Sequence, residues 1–203
     1  MFGEVNIEVQ DGNLGRNTST GSFVQVKIGA STSTSNVPVL VTNTMKPEEI
    51  KEKLGCTPLA DACIDATENG LKKIYAIPVK ADVDGTIGEV TKTGESKGTV
   101  TASGKPNNAY DVVVKITATG NVNKGSFAYS IDGGNNFSDE YTIPLGGTFE
   151  LPGTGITLTF SDSGEDERSF IEDDAFSFSS TAPTLSNSSV LKAVESLINF
   201  NSE

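Results

Sequence analysis

The carboxylates of this chain are its clearest candidates for chemistry. The densest group lies in EDERSFIEDDAF, residues 165–176, and a second, VKADVDGTIGE at residues 79–89, contains Asp82, Asp84 and Glu89. Paired carboxylates can bind calcium or serve as the acid and base of a glycosidase. Neither run has the residue order of a calcium loop. We therefore interpret the first as a solvated acidic loop on a hairpin-like connection, and the second as a domain hinge.

Nucleophilic and phosphate-binding chemistry finds little support. The chain has no histidine, so Ser-His-Asp triads, Cys-His pairs and imidazole metal sites are excluded. Cys63 lies on the apolar face of a predicted helix, as a small buried hydrophobe would, and Cys56 precedes that helix. GNLGRNTSTGS, residues 12–22, lacks the Gly-Lys-Ser/Thr end of a phosphate loop. The sequence thus predicts no catalytic residue, no cofactor, no metal site and no enzyme.

Charge and composition narrow the possible partners. The net charge is −12 and the pI about 4.4, so the chain would repel a polyanionic nucleic acid. Lysines are interleaved with glutamates, which argues against a polybasic membrane anchor. No run approaches the roughly 20 apolar residues that a membrane span needs. Two cysteines are too few for a secreted disulfide scaffold, and no signal peptide is recognisable, so we expect a soluble protein made in a reducing cytoplasm.

The elements around these residues begin with an α/β pattern. Apolar runs predict strands at residues 22–30, 37–42 and 72–79. Between the last two, Pro47 starts one helix, and Thr57 is a candidate N-cap of a second. The order strand, helix, helix, strand predicts a crossover that leaves the strands 37–42 and 72–79 parallel.

A different pattern follows Val79. Residues 82–98 are polar and rich in glycine, and strand-like segments then recur about every ten residues up to about residue 180. This spacing is typical of an all-β sandwich or barrel. The sequences Asp132-Gly133-Gly134 and Gly146-Gly147 predict hairpin turns.

The end of the chain returns to helix, at residues 186–200, with Ser186 or Ser188 as its cap. Its apolar stripe needs a sheet to cover and consists of Val190, Leu191, Val194, Leu197 and Ile198.

Together these segments predict an α+β fold, a small discontinuous α/β core domain with an inserted all-β sandwich or barrel. Residues 1–21 form an extended N-terminal arm. Residues 22–86 form the first part of the core, residues 87–182 the inserted β-sandwich domain, and residues 183–203 the second part of the core.

Three stretches carry a family resemblance: VPVLVTN, PLADACIDATENGLKKIYAIPV, and the inserted YSIDGG followed by LPGTGITLTF. Over nearly the whole chain, the sequence resembles the sheath protein of contractile phage tails, including prophage and bacteriocin-like tails. The resemblance implies a structural protein whose copies stack in rings around a tail tube. It also implies arms that add strands to neighbouring subunits, an outward-facing inserted domain, and a further C-terminal domain after Glu203.

The resemblance therefore implies that the partners are other sheath subunits and the tube protein, with no nucleic acid and no membrane. The protein would reside in the host cytoplasm during assembly and then in the virion or tail particle. The alternative is a surface-binding module, whose immunoglobulin-like β domain binds a cell-surface glycan or protein. Such a glycan site needs clustered exposed aromatics. The aromatics of the insertion mostly alternate as core residues do: Tyr110, Phe127, Tyr129, Phe137, Tyr141, Phe149 and Phe160.

Overall fold

A computed structural model describes residues 25–31, 36–164 and 168–200, and within these ranges the chain forms three helices and eleven strands in three sheets. The predicted α+β class is confirmed at this level. The predicted arm, residues 1–21, lies outside the described residues.

The first five elements in chain order are β1 (Gln25–Ser31), β2 (Val39–Thr42), α1 (Pro47–Leu54), α2 (Pro58–Glu68) and β3 (Lys73–Lys80). Eight strands follow: β4 (Thr91–Thr93), β5 (Thr99–Gly104), β6 (Asp111–Ala118), β7 (Ser126–Ser130), β8 (Tyr141–Thr142), β9 (Thr148–Leu151), β10 (Ile156–Ser161) and β11 (Ala175–Ser179). The last element is α3 (Asn187–Phe200).

The first sheet has the strand order β1-β3-β2. Strand β1 runs parallel to β3, with Ile28 opposite Ile77, whereas β2 runs antiparallel to β3. The prediction that the strands at 37–42 and 72–79 are parallel was therefore wrong. One crossover helix returns the chain to a parallel strand, but here two helices follow in series and the chain reverses once more before β3.

Local signals explain where α1 and α2 begin and end. Pro47 and Pro58 occupy first helical positions, where a missing N–H costs nothing. The backbone N–H of Lys46 donates to Glu49 Oε2 at 2.8 Å, and Gly55, at φ 80°, ends α1. Thr57 holds the N-cap position of α2 as predicted, but its hydroxyl donates backward to the Leu54 carbonyl at 3.2 Å. It thereby closes the turn between the helices.

Helices cover both faces of this sheet. On one face, α1 and α2 bury Ile50, Leu54 and Cys63 against Val41 and Ile74. On the other, α3 contributes a small cluster in which Ala193 and Leu197 meet Ile77 and Val79 of β3. We call β1–β3 together with α1–α3 the α/β region.

Helix α2 packs closely on β1 at Gly29. A Cβ on Gly29 would lie 3.0 Å from the Leu59 Cβ, so a larger residue would need Leu59 to shift by a few tenths of an ångström.

The remaining strands form two antiparallel sheets around one core, which we call the β region (residues 87–182). One sheet has the order β5-β10-β9 and the other β4-β11-β6-β7-β8. Both sheets contribute to a single buried cluster, in which Phe127 contacts Phe160 across a centroid distance of 4.8 Å. Phe170, from the connection between β10 and β11, extends this aromatic core.

The two predicted turns differ in outcome. Strands β7 and β8 do pair antiparallel, but they are joined by residues 131–140, a connection much longer than a tight turn. Gly146 and Gly147 lie in a turn in which the Gly147 N–H donates to the Pro144 carbonyl at 2.7 Å. That turn joins β8 to β9, which belong to different sheets, so it is not a hairpin. Glycine spacing predicts a reversal of the chain but not the sheet of the next strand.

Within the described ranges, no helix combines the length and the apolar character needed to cross a membrane.

Candidate functional site

The two cysteines differ in exposure: Cys63 is buried and Cys56 is exposed. Cys63 is buried where α2 packs on the sheet. Burial raises the pKa of its thiol to about 11, and the positive charge of Lys27 lowers that pKa by a smaller amount. At neutral pH it is a protonated, apolar core residue. Cys56 is an exposed free thiol in the turn between α1 and α2. The interpretation of Cys63 as a small core hydrophobe agrees with this packing.

The structure describes residues 168–176 of the acidic run, and these residues do not form one solvated loop. Asp174 is 7% exposed and accepts hydrogen bonds from the N–H and the hydroxyl of Ser96, both at 2.5 Å. Burial alone would raise the pKa of Asp174, but these hydrogen bonds outweigh it and the pKa is lowered. Asp173 pairs with Lys115 at 2.9 Å. The run also joins β10 to β11 in different sheets, so the hairpin-like reading was wrong.

The second acidic segment belongs to a structure that we call the neck, residues 82–88 with residues 179–186. The two segments form an isolated antiparallel bridge between Val83 and Thr184. Thr86 and Thr181 are joined by hydrogen bonds of 2.9 Å. A Cβ on Gly85 would lie 2.3 Å from the Thr181 carbonyl oxygen. Residues 83–88 of the predicted hinge are therefore packed against residues 179–184 and hydrogen-bonded to them.

Asp82 ties the neck to α3. Its carboxylate accepts hydrogen bonds from the Ser186 N–H at 2.7 Å, from the Ser186 hydroxyl and from the Ser189 hydroxyl at 2.9 Å. Hydrogen bonds from Ser186 first, then Ser189, lower the pKa of Asp82 to about 2. This carboxylate stays ionised to hold the helix start and is not a general acid at neutral pH. The sequence predicts Ser186 or Ser188 as the cap of α3 but gives no sign that Asp82, 104 residues from Ser186, accepts its hydrogen bonds.

A side-chain contact joins the first turn of α2 to the β region. Asn108 Nδ2 donates to Asp61 Oδ2 at 2.6 Å, and Lys51 Nζ lies 3.6 Å from Asp61 Oδ1. Next to it, the Tyr110 hydroxyl donates to Asn107 Oδ1 at 2.6 Å. Burial, with the charges of Cys56 and Asp61, raises the pKa of Tyr110 to about 12. This tyrosine is a structural donor.

Aromatic residues of the β region are mostly internal, as the alternation predicts. Phe127 and Phe160 are buried, while Tyr110, Tyr129, Tyr141 and Phe149 pack half-buried against the core. Phe137 differs, because it lies 45% exposed in the β7–β8 connection.

The edges of the first sheet are a structural candidate for interaction. Strand β3 is central, and β1 and β2 each have a partner on one side only among the described residues. An edge strand presents backbone N–H and C=O groups that another chain can pair with. Gln25–Ser31 is seven residues long, enough to accept a further strand.

Helix α3 offers a second candidate surface. The predicted stripe of five residues does not lie wholly on the sheet: Leu197 is buried, but Leu191 is 64% and Ile198 54% exposed. Ala193, which is not part of the predicted stripe, packs against β3. The stripe is wider than the face that a three-stranded sheet covers, so its flank stays in solvent.

Within the described part of the chain, no group of three or more Cys, Asp or Glu side chains is placed so that it could hold a metal ion. The described titratable groups with clearly shifted pKa values have structural explanations, as given above for Asp82, Tyr110 and Asp174.

Comparison with known proteins gave one family. The family described as DUF2586, N-terminal domain, matches residues 2–202. No curated protein and no solved structure matched the chain. The match covers nearly every residue, and the chain therefore belongs to the DUF2586 family, in its N-terminal domain.

Proposed function

We propose that this chain is a structural subunit of a contractile phage-like tail sheath, which polymerises around the tail tube. Its partners are copies of itself and the tube protein. It resides in the host cytoplasm during assembly and then in the tail particle. It transforms no substrate and acts through its contacts.

The observation that carries this proposal is the position of β1 and β2 at the two edges of the α/β sheet, each with one partner strand among the described residues. The segment before β1 contains Val5, Ile7 and Val9 in strand-like alternation. An extended segment of this kind gains backbone hydrogen bonds by pairing with a free edge of another subunit. Since β1 and β2 each have one partner strand among the described residues, a sister subunit can add to this sheet without breaking it.

We further infer the domain plan that this role needs, a discontinuous α/β domain with an inserted β-sandwich. The contact of α3 with β3 and the bridge between Val83 and Thr184 support it, because both join residues before the β region to residues after it. The buried cluster shared by the two antiparallel sheets lies wholly within the β region, which supports a separate inserted unit. Outward placement of that unit is part of the proposal.

The state of the chemical groups favours a structural role over an enzyme. The thiol of Cys63 is buried with a raised pKa, and the carboxylates of Asp82 and Asp174 are held by serine donors within the fold. A general acid or base needs a tuned pKa beside a cleft that can hold substrate. The net charge of −12 also disfavours nucleic acid as a partner.

Electron microscopy of the purified full-length gene product tests the proposal. We expect ordered tubes or rings from the intact protein. Deletion of residues 1–20 should leave a monomer with unchanged circular dichroism and abolish ordered assembly, because the pairing segment is lost.

A matched pair of variants separates strand pairing from mere loss of chain length. Replacing Val5, Ile7 and Val9 by serine should block assembly, because their shared face would no longer bury apolar surface. Replacing Asn6 and Glu8, on the opposite face, by serine should leave assembly intact. Normal tubes from the deletion or from the triple variant would contradict the assignment.

A further inference from the structure

The α/β region and the β region have separate cores. The buried cluster of the β region takes its residues from 87–178, and the two clusters of the α/β region take theirs from 26–79 and 185–197. Among the residues that the structure describes, these clusters therefore share no member. Two regions of one chain move relative to one another unless a large apolar interface joins them. The contacts at their junction therefore set how the β region is oriented.

The neck is attached firmly at both of its ends. At the end near α3, Asp82 accepts the hydrogen bonds from the start of that helix. At the other end, Lys105 Nζ lies 2.6 Å from Asp84 Oδ2, and a Cβ on Gly85 would lie 2.8 Å from the Pro106 carbonyl oxygen. Between these ends the neck is only two segments wide, and a two-stranded ribbon can twist more strongly than a wider sheet. The neck thus ties the regions together but restrains twisting about its own axis weakly.

Helix α2 and the β region meet at a second place, through side chains. Asn108 Nδ2 donates to Asp61 Oδ2 at 2.6 Å, and both side chains are half-buried. At the same junction, a Cβ on Gly153 would lie 4.0 Å from Cys56 Sγ, so the β9–β10 turn and the α1–α2 turn are neighbours. This second attachment restrains the twisting that the neck alone would allow.

Both sides of the second attachment are held within their own regions. In the β region, Asn107 Nδ2 donates to the Gly153 carbonyl at 2.7 Å, and the Tyr110 hydroxyl donates to Asn107 Oδ1 at 2.6 Å. These bonds fix the segment that carries Asn108. In the α/β region, Asp61 belongs to the first turn of α2, a helix packed on the first sheet. A fixed donor that meets a fixed acceptor favours one orientation of the two regions.

From this arrangement we propose that the Asp61–Asn108 hydrogen bond is a latch. Closed, it fixes the orientation of the β region relative to the α/β region, and its opening lets the β region turn about the neck. A half-buried polar contact suits this role, because water can bond to each partner when the contact opens. The proposal does not rest on the sheath assignment.

Asn108→Asp should open the latch with little other change. The Ala109 N–H donates to Asn108 Oδ1 at 2.9 Å, and the new side chain keeps an oxygen for this bond. Its other oxygen replaces the amide donor and meets Asp61 Oδ2, whereas Lys51 pairs with Asp61 Oδ1. Two like charges at hydrogen-bond distance repel. Asn108→Asp combined with Asp61→Asn is the matched control, because the reversed pair again joins an amide donor to a carboxylate.

Residual dipolar couplings of backbone amides, measured by NMR on the weakly aligned intact protein, report the orientation of each region. In the unmodified protein, the couplings of α1, α2 and β3 should fit the same alignment frame as those of β6, β10 and β11. In Asn108→Asp this common frame should be lost, and in the double variant it should return. Amide chemical shifts distant from the junction should stay unchanged in both variants, because the altered side chains are half-buried and belong to neither core.

Three results would overturn the proposal. A common frame in Asn108→Asp that matches the unmodified protein would show that the orientation is fixed without the contact. Loss of the common frame in the double variant as well would show that the restored hydrogen bond does not fix the orientation. Separate frames in the unmodified protein would show that the closed contact fixes nothing.

Discussion

The α/β region and the β region bury their sheets in different ways. The α/β sheet has both faces covered by helices, and its outer strands β1 and β2 each pair on one side only among the described residues. In the β region two sheets cover one another, and the outer strands of the five-stranded sheet are only three residues (β4) and two residues (β8) long. Short edges disfavour pairing with other chains. The contrast is confined to the five-stranded sheet, because the outer strands of the three-stranded sheet, β5 and β9, are six and four residues long. Under the proposed function, we expect assembly to use the edges of the α/β sheet.

Their cores differ in composition as well. Five buried phenylalanines contribute to the β region: Phe127, Phe160, Phe170, Phe176 and Phe178. The two clusters of the α/β region contain no buried aromatic residue within the described part of the chain. Large rings bury the most apolar area per residue, so single substitutions should be costliest in the β region.

The largest expected effect comes from breaking that aromatic core. Phe127→Ala should destabilise the β region by about 3–5 kcal/mol, because a fully buried ring in contact with Phe160 and Phe149 is replaced by a cavity. Urea denaturation followed by NMR should show β-region signals lost first, with those of α1 and α2 retained. Simultaneous loss of both sets at the same urea concentration would contradict two separate cores.

The next effect tests how α3 is attached. Ala193→Leu should cost about 1–3 kcal/mol, since Ala193 is fully buried against β3 and a longer side chain would push the helix off the sheet. Leu191→Ala, on the exposed flank, should cost less than about 0.5 kcal/mol. Thermal unfolding of the two variants compares them directly. Equal losses of stability in the two variants would mean that α3 packs against β3 through a different face.

A third effect concerns the buried carboxylate of the β region. Ser96→Ala removes a hydroxyl that donates to Asp174 and accepts from the Ile171 N–H at 2.9 Å. Leaving a buried carboxylate short of a donor should cost about 1–3 kcal/mol, measured by urea denaturation at pH 7. Ser103→Ala, an exposed serine on β5, serves as the control. A neutral result for Ser96→Ala would show that the backbone N–H alone holds Asp174.

The smallest expected effects are acid-dependent and fall one in each region. Hydrogen bonds lower the folded pKa values of Asp82 and Asp132 from 3.8 to about 2, those to Asp132 coming first from Ser130 and then from Asn136. A lowered folded pKa means that each carboxylate stabilises the fold above about pH 4, and that this contribution disappears as the pH falls towards 2. Both groups are exposed, so solvent screens the gain.

Amide exchange measured from pH 6 to pH 2.5 separates the contribution of Asp82 from that of Asp132. Asp82→Asn should flatten the acid dependence at the start of α3 and leave that of residues 130–138 unchanged, and Asp132→Asn should do the reverse. Acid curves identical to those of the unmodified protein in both variants would contradict these hydrogen-bond assignments.

Local signals predicted the elements of this fold better than their connections. Prolines 47 and 58 and Gly55 marked the ends of α1 and α2 because caps depend on neighbouring residues. The direction of β2 was missed, since it depends on how two helices in series turn the chain. Strand β4 was missed because its three exposed residues, Thr91–Thr93, carry no apolar alternation.

The same limit applies to the candidate sites. The sequence predicts Asp174 in a solvated acidic loop and Asp82 in a domain hinge. The serine partners of Asp82 and Asp174 lie 104 and 78 residues away in sequence. Residue types alone cannot reveal such pairs. The exposure of Phe137 was equally hidden, because its position in sequence gives the same alternation as its buried neighbours. Its loop is held by hydrogen bonds that only the folded chain reveals.

Hydrogen–deuterium exchange on the full-length protein, before and after assembly, tests the central claim most directly. Self-association through the α/β sheet predicts new protection of backbone amides in Gln25–Ser31 or Val39–Thr42 on assembly, with the β5 and β9 edges unchanged. A protein that stays monomeric at high concentration, or one whose new protection falls only on the β region, would contradict it.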